Sequence, residues 1–200
     1  MADIILFDLG GVILTNAWDH AERTAAAQEF GLDAAAFEVR HAPLAAAVER
    51  GEMSLAQYLD AAVFDHPRTF GRDAFIAYMQ GCSQPLPDSL LVLKELAQHG
   101  RARLATLNNE GRDLNEFRIE HFGLKQYFSV FCSSCYLGAR KPDADIFQRA
   151  LGILQAKPQD CLFVDDREEN LIAPRRLGVD SIRFTSPVQL RQELGARGLL

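Results

Sequence analysis

No apolar run in the sequence approaches the roughly 18 residues that a bilayer-crossing helix needs, so a membrane span is not expected. Positive charge is in deficit: 21 basic against 27 acidic side chains leave a formal net charge of −6. That balance argues against a nucleic-acid backbone or an anionic membrane as main partner. A small anionic substrate stays open, because amides, a lysine and a metal can reverse the field within one pocket. Cysteine is scarce, with Cys82, Cys132, Cys135 and Cys161 alone. Cys132 and Cys135 have C-x-x-C spacing, yet no second Cys or His pair follows, so small buried thiols are expected rather than a zinc or redox site. His20, His41, His66, His99 and His121 share no i, i+4 spacing and are expected to ligate no metal. No cationic start with a cleavable apolar stretch is present either. Met1, Ala2 and Asp3 lead straight into a strand, and the cytosol is the expected compartment.

What is present begins with "IILFDLGG", residues 4–11: an apolar strand that ends on one aspartate and then two glycines. From about 19 to 80 the texture is alanine-rich and helical, in "HAERTAAAQEFG", "DAAAFEVRHAPLAAAVERG", "SLAQYLDAAVF" and "RDAFIAYMQG". Gly31 and Gly51 fall where helix ends belong, and Ser54 suits a helix cap. "QPLPD" at 84–88 marks a break, after which strands and helices alternate. Strands are expected in "ARLATL", "YFSVFCS", "DCLFVDD" and "DSIRF"; helices are expected in "SLLVLKELAQHG", "GRDLNEFRIEHFG", "DADIFQRALGIL", "EENLIAPRRLG" and "PVQLRQELGARG". Such alternation with Val/Ile/Leu/Phe-rich strands predicts an α/β fold, a parallel sheet covered on both faces. The core is interrupted after its first strand by a helical insert of about 65–70 residues, far longer than a structureless loop would be.

In an open parallel sheet the pocket forms beyond the carboxyl ends of the strands. The first strand delivers Asp8 there; the second delivers Asn108, Asn109 and Glu110. The loop after the third brings Arg140 and Lys141, and the fourth brings Asp165 and Asp166, with Asn170 a helical turn later. Three converging carboxylates repel one another, and a hard divalent cation resolves the conflict; carboxylate and carbonyl oxygens with water suit Mg²⁺. Lys141 adds the positive charge that a phosphoryl group needs. Mg²⁺, a nucleophilic carboxylate and a lysine together suit phosphoryl transfer through an aspartyl-phosphate.

"FDLGGV", "LNNE", "ARKPD" and "FVDDREEN", in that order, resemble the four motifs of the haloacid dehalogenase superfamily. Within it, "RGEMSLAQYL", "SSCYLGARKPDADIF" and "FVDDREENLIAPRRLGV" are similar to the phosphatase domain of bifunctional epoxide hydrolases and to bacterial sugar-phosphate phosphatases. The resemblance implies a Rossmann-like core over 1–14 and 85–200 and an α-helical cap over 15–84. It implies Asp8 as nucleophile, with Asp8, the Gly10 carbonyl, Asp165 and Asp166 around Mg²⁺. Lys141, Asn108, Asn109 and Gly11 would meet substrate and phosphate, and Asn170 would tether the fourth motif's loop. Asn109 and Glu110 could instead open the next helix. Arg140 is expected to be exposed, and Arg40 and His41 to face away from the pocket. Trp18 could line the substrate entrance or seal the cap hinge.

Two positions depart from the pattern. Phosphatases of this superfamily usually carry an aspartate two residues after the nucleophile, which protonates the leaving alcohol; here Gly10 stands there. The second motif usually places Ser or Thr before its asparagine; here it is Leu107. A positioned acid contributes about 10²–10⁴ in rate, so its loss slows such an enzyme more than it abolishes it. The expected activity is a Mg²⁺-dependent phosphatase for a small organic phosphate with a good leaving group, or with an acid supplied by the cap. The alternatives are a metal-independent 2-haloacid dehalogenase, or a catalytically weak protein that binds a phosphorylated ligand.

Overall fold

The computed structural model, which describes residues 2–200, places strand β1 (Ile4–Phe7) at the centre of a five-stranded sheet. β2 (Arg103–Thr106) and β3 (Val130–Phe131) lie to one side, β4 (Cys161–Asp165) and β5 (Asp180–Arg183) to the other, in the order β3-β2-β1-β4-β5. Every adjacent pair is parallel, with Phe7 opposite both Thr106 and Val164. Strand periodicity divides β1 between two cores. Ile5 and Phe7 join Leu93, Phe128 and Leu194 on one face, and Ile4 and Leu6 join Phe147, Ala150 and Phe163 on the other. A strand covered twice must be apolar throughout, which is why "IILF" does not alternate with polar residues.

After β1 come α1 (His20–Glu29), α2 (Ala34–Glu49), α3 (Leu55–Ala62) and α4 (Arg72–Gly81). Ser54 and Gln57 form a reciprocal capping box at the start of α3. These helices enclose a third apolar cluster built around Phe37, Tyr58, Leu59 and Phe75. The chain's passage into and out of this segment is stitched together: Thr15 N donates to Gln84 O at 2.8 Å and Leu86 N to Ile13 O at 3.0 Å. Leu14 bridges to both Gly10 and Pro85.

α5 (Pro87–His99) starts with Pro87 in its first turn, where a missing N–H costs nothing, and stops at left-handed Gly100. α6 (Arg112–His121), α7 (Ser134–Leu137), α8 (Ala144–Leu154), α9 (Glu168–Leu177) and α10 (Pro187–Ala196) complete the chain. β3 is shorter than the 127–133 expected, because Ser133 turns the chain into the four-residue helix α7. Cys132 and Cys135 flank that turn as buried free thiols, and burial pushes them up to about 11 and about 12. No helix among the described residues is long and apolar enough to cross a membrane.

From β1 the chain runs outward to β2 and β3, then returns across β1 to β4. The strand order therefore reverses at β1, and the crevice beyond the carboxyl ends of β1 and β4 is where such sheets hold ligands.

Candidate active site

Asp8 follows β1 directly and is almost fully buried. Its Oδ1 accepts from Leu9 N at 2.8 Å and lies 3.0 Å from Lys141 Nζ. Oδ2 has no hydrogen-bond partner among the described residues. Burial raises the Asp8 pKa, Lys141 draws it back and Asp165 pushes it up again, leaving it at about 7. Lys141 is only 2% exposed. Burial works against its ammonium charge, but Asp8 and Asp165 outweigh that and hold its pKa above the ordinary lysine value.

The two adjacent carboxylates ending β4 differ in kind. Asp165 is wholly buried and its acceptor sites are filled. Oδ2 receives Lys141 Nζ at 2.6 Å and Asn170 Nδ2 at 3.1 Å; Oδ1 receives Asn170 Nδ2 at 3.0 Å and Arg167 N at 2.8 Å. Four contacts exhaust what two carboxylate oxygens offer. Asp166, by contrast, has a buried Oδ1 with no partner at all. Its pKa is raised by burial and by Asp165 beside it. Oxygens of Asp8, Asp165 and Asp166 lie within 4.8 Å of one another. All three expected carboxylates thus meet, but on different terms: Asp165 is committed to Lys141 and Asn170, whereas Asp8 and Asp166 have oxygens free of hydrogen bonds. Asn170, in the first turn of α9, donates its amide to both oxygens of Asp165.

Gly10 and Gly11 pass directly under this cluster. Gly11 has φ +73°, and a Cβ there would stand 2.5 Å from Asp166 Oδ2. A Cβ at Gly10 would meet Asn16 Oδ1 at 2.8 Å. Glycine is required at Gly11, where φ is left-handed and a side chain would collide with the acidic loop; at Gly10 the near atom is the end of the Asn16 side chain, which can give way. The Gly11 N–H, expected to meet phosphate, donates to Leu14 O at 2.8 Å and closes the turn instead.

The tip of β2 behaves differently from what its sequence suggested. Asn108 Nδ2 donates to Asn115 Oδ1 at 3.0 Å, and its Oδ1 accepts from Ser133 Oγ at 2.9 Å. That amide is sealed in a buried network and does not line the crevice. Asn109 grips the backbone of Lys141 from both sides, donating to its carbonyl and accepting from its N–H, each at 2.9 Å. Both asparagine amides are thus engaged inside the protein, with Asn109 still lining the cavity. Leu107 is buried in the apolar core, and the Thr106 hydroxyl is buried without a partner. Asn109 and Glu110 precede α6, whose cap is Gly111. Glu110 is buried against Arg118, 2.9 Å away, and burial raises its pKa despite that pairing. Arg118 also donates to Thr15 O at 2.8 Å, tying α6 to the chain leaving β1.

A cavity of about 190 Å³ opens above Asp8, Gly10 and Lys141, roofed by the helical segment. His41, Ala45, Val48 and Glu49 face it from α2, a stripe at i, i+4, i+7 and i+8. His41 thus corrects the expectation that it would turn away. Its Nδ1 lies 2.9 Å from the Tyr58 hydroxyl, and burial with nearby Arg23 pulls its pKa down to about 4, so the ring is neutral near pH 7. Arg40 does face elsewhere, donating to Ala62 O. Trp18 lines the cavity, donates to Tyr58 Oη at 3.0 Å and packs edge-on against Phe37 and Phe75. Arg140 is a second correction, since it lies at the cavity with Nε 2.8 Å from Glu49 Oε2. Arg167 pairs with Asp19 at 2.6 Å on the same rim. Glu49, Asn115, Arg118 and Ser133 escaped the sequence reading. Asn115 and Arg118 left a trace, falling in phase with Leu114 and Ile119 on the buried face of α6.

Residues 2–178 match the family of haloacid dehalogenase-like hydrolases. A segment of 119 residues is 29% identical to the sesquiterpene phosphatase astK of Aspergillus oryzae, covering 58% of this chain and 60% of that protein. A segment of 71 residues is 34% identical to bifunctional epoxide hydrolase 2 of Rattus norvegicus, covering 36% of this chain and 13% of that one. These matches therefore span at most 60% of the relatives' own lengths. In three dimensions the chain is similar to a HAD-family enzyme of Bacteroides thetaiotaomicron solved with magnesium and inorganic phosphate. The TM-score is 0.78 at 18% identity, over 92% of this chain and 95% of the other.

Proposed function

The chain belongs to the haloacid dehalogenase-like hydrolase family, and on that footing we propose that it is a Mg²⁺-dependent phosphatase of small organic phosphomonoesters. In this reading residues 15–84 form the cap over a core of 1–14 and 85–200. The observation that carries it is the contrast at the end of β4: Asp165 is saturated, while Asp166 keeps an orphaned buried oxygen beside Asp8. An unpartnered buried carboxylate oxygen is costly, and a cation removes that cost. The residues fit Mg²⁺, which Asp8, Asp166 and the Gly10 carbonyl would hold. When bound, the ion would supply positive charge to a phosphoryl oxygen.

The protein's own groups account for the rest. Lys141, fixed by Asp165 and by Asn109 on its backbone, holds Asp8 Oδ1 and offers charge to the phosphoryl group. Asp8 Oδ2 attacks phosphorus; the bond from phosphorus to the ester oxygen breaks, and that oxygen takes a proton from solvent or from an acid in the cavity as it leaves. Water then attacks the aspartyl-phosphate at phosphorus, releasing inorganic phosphate and restoring the carboxylate. Relatives named as phosphatases support the same chemistry. Dehalogenation would use Asp8 without a metal, and it gives the orphaned Asp166 oxygen no purpose.

The test is a panel of phosphate esters assayed with Mg²⁺ and with chelator, followed by trapping of a phosphoryl group on Asp8 by rapid quench and its release by hydroxylamine. Metal-dependent turnover with a trapped acyl-phosphate is expected. Chloride release from 2-chloropropionate in chelator, with no ester hydrolysed, would establish the dehalogenase in its place.

A further inference from the structure

Resting on the phosphatase reading, we infer that Glu49, reaching down from the C-terminal end of α2, donates the proton to the leaving oxygen and so takes over the work of the acid missing at Gly10. The cavity supplies few competitors. Asp19 is paired with Arg167, Glu110 accepts from Arg118 Nη1 at 2.9 Å and Gly111 N at 3.1 Å, and Asp113 is exposed in the first turn of α6. His41 is neutral and joined to Tyr58. Glu49 is paired with Arg140, but without a hydrogen bond. Arg140 Nε comes within 2.8 Å of its Oε2, yet the two groups are not aligned for a hydrogen bond, and both atoms stay buried without a partner.

Position also favours the protonated form. Glu49 is the last residue of α2, where the helix dipole is negative and disfavours a carboxylate. Its backbone is pinned to the core, its carbonyl accepting from Ser134 Oγ at 2.6 Å. Burial raises its pKa; Arg140, Arg167 and Lys141 oppose this, Asp19 reinforces it, and burial prevails. Glu110 senses it across the cavity, whose other charged lining groups are Asp8, Arg23, Arg112, Asp113 and Arg118. In the step itself, the proton on Glu49 passes to the ester oxygen as its bond to phosphorus breaks. Glu49 is left as a carboxylate that can accept a proton from the attacking water.

The experiment compares benzyl phosphate with 4-nitrophenyl phosphate, esters of similar shape whose leaving groups differ in their need for a proton. kcat/KM reports steps up to transfer onto Asp8, so later steps do not blur it. Glu49→Gln should lower kcat/KM about 10²-fold for benzyl phosphate and about threefold or less for 4-nitrophenyl phosphate. Equal losses on both would overturn the inference and assign Glu49 to holding Arg140. Wild-type protein gives a reading that does not depend on the variant folding: benzyl phosphate should be hydrolysed within about 10³-fold of the aryl ester. Wild type active on the aryl ester alone overturns the proton donor while sparing the phosphatase reading. Wild type inactive on both esters overturns that reading and this inference together.

Discussion

The tips of β1 and β4 and the tip of β2 border the same crevice and are equally polar, yet they are built on opposite plans. At β2 every amide is consumed internally: Asn108 by Asn115 and Ser133, Asn109 by the Lys141 backbone. At β1 and β4 valences are left over, on Asp8 Oδ2 and on Asp166 Oδ1. A buried polar atom without a partner is costly; the one on Asp166 differs from the unpartnered Thr106 hydroxyl of β2 in lying among three carboxylates, where a cation would be held. Saturated atoms mark scaffold. The same division runs inside the Asp165–Asp166 pair, so adjacency in sequence says nothing about shared duty.

The largest effect that could break this contrast is at Asp8. Asp8→Asn should lower kcat/KM for an aryl phosphate by about 10⁴-fold or more, since a nucleophile has no substitute. Circular dichroism should meanwhile show an intact fold. Retained activity would mean that the open valences at β1 serve another purpose. Next come the paired variants at β4. Asp166→Asn should raise the Mg²⁺ concentration needed for half-maximal activity by about 10–100-fold with little change in Tm. Asp165→Asn should act in the opposite sense, costing about 3–5 kcal/mol in denaturant unfolding because it leaves the buried Lys141 short of a partner. Identical behaviour of the two variants would erase the distinction between them.

Much of this arrangement was legible in the sequence. Short apolar runs ending in Asp8 and Asp165 declare buried parallel strands, and four motifs in order placed Asp8, Lys141 and Asp166 together before any coordinates. What escaped depends on where side chains point after packing. That Asp165 is full and Asp166 is not follows from Asn170, Arg167 and Lys141 arriving from three directions, which no local pattern encodes. The stripe His41, Ala45, Val48, Glu49 shares one helical face in the sequence as well, but nothing local says whether that face meets solvent or a cavity. β3 was overextended because "YFSVFCS" is apolar enough for a strand, while tertiary contacts at Ser133 and Ser134 turn its end into α7.

The mildest effect is expected at Asn108, and it probes the scaffold side of the contrast. Removing its amide deprives Asn115 Oδ1 of a donor, although Ser133 Oγ still reaches that oxygen at 3.1 Å. Asn108→Ala should therefore cost about 1–2 kcal/mol in urea unfolding, the loss of a buried hydrogen bond whose partner is partly compensated. A double-mutant cycle with Asn115→Ala should recover most of that energy as coupling, since the two amides stabilise each other directly. Steady-state kinetics should stay within about threefold of wild type, because this amide faces away from the crevice. A fall in kcat/KM comparable to that of Asp166→Asn would place Asn108 against the phosphate after all. It would also show that the β2 tip rearranges when substrate enters, so that saturation in the ligand-free chain no longer separates scaffold from site.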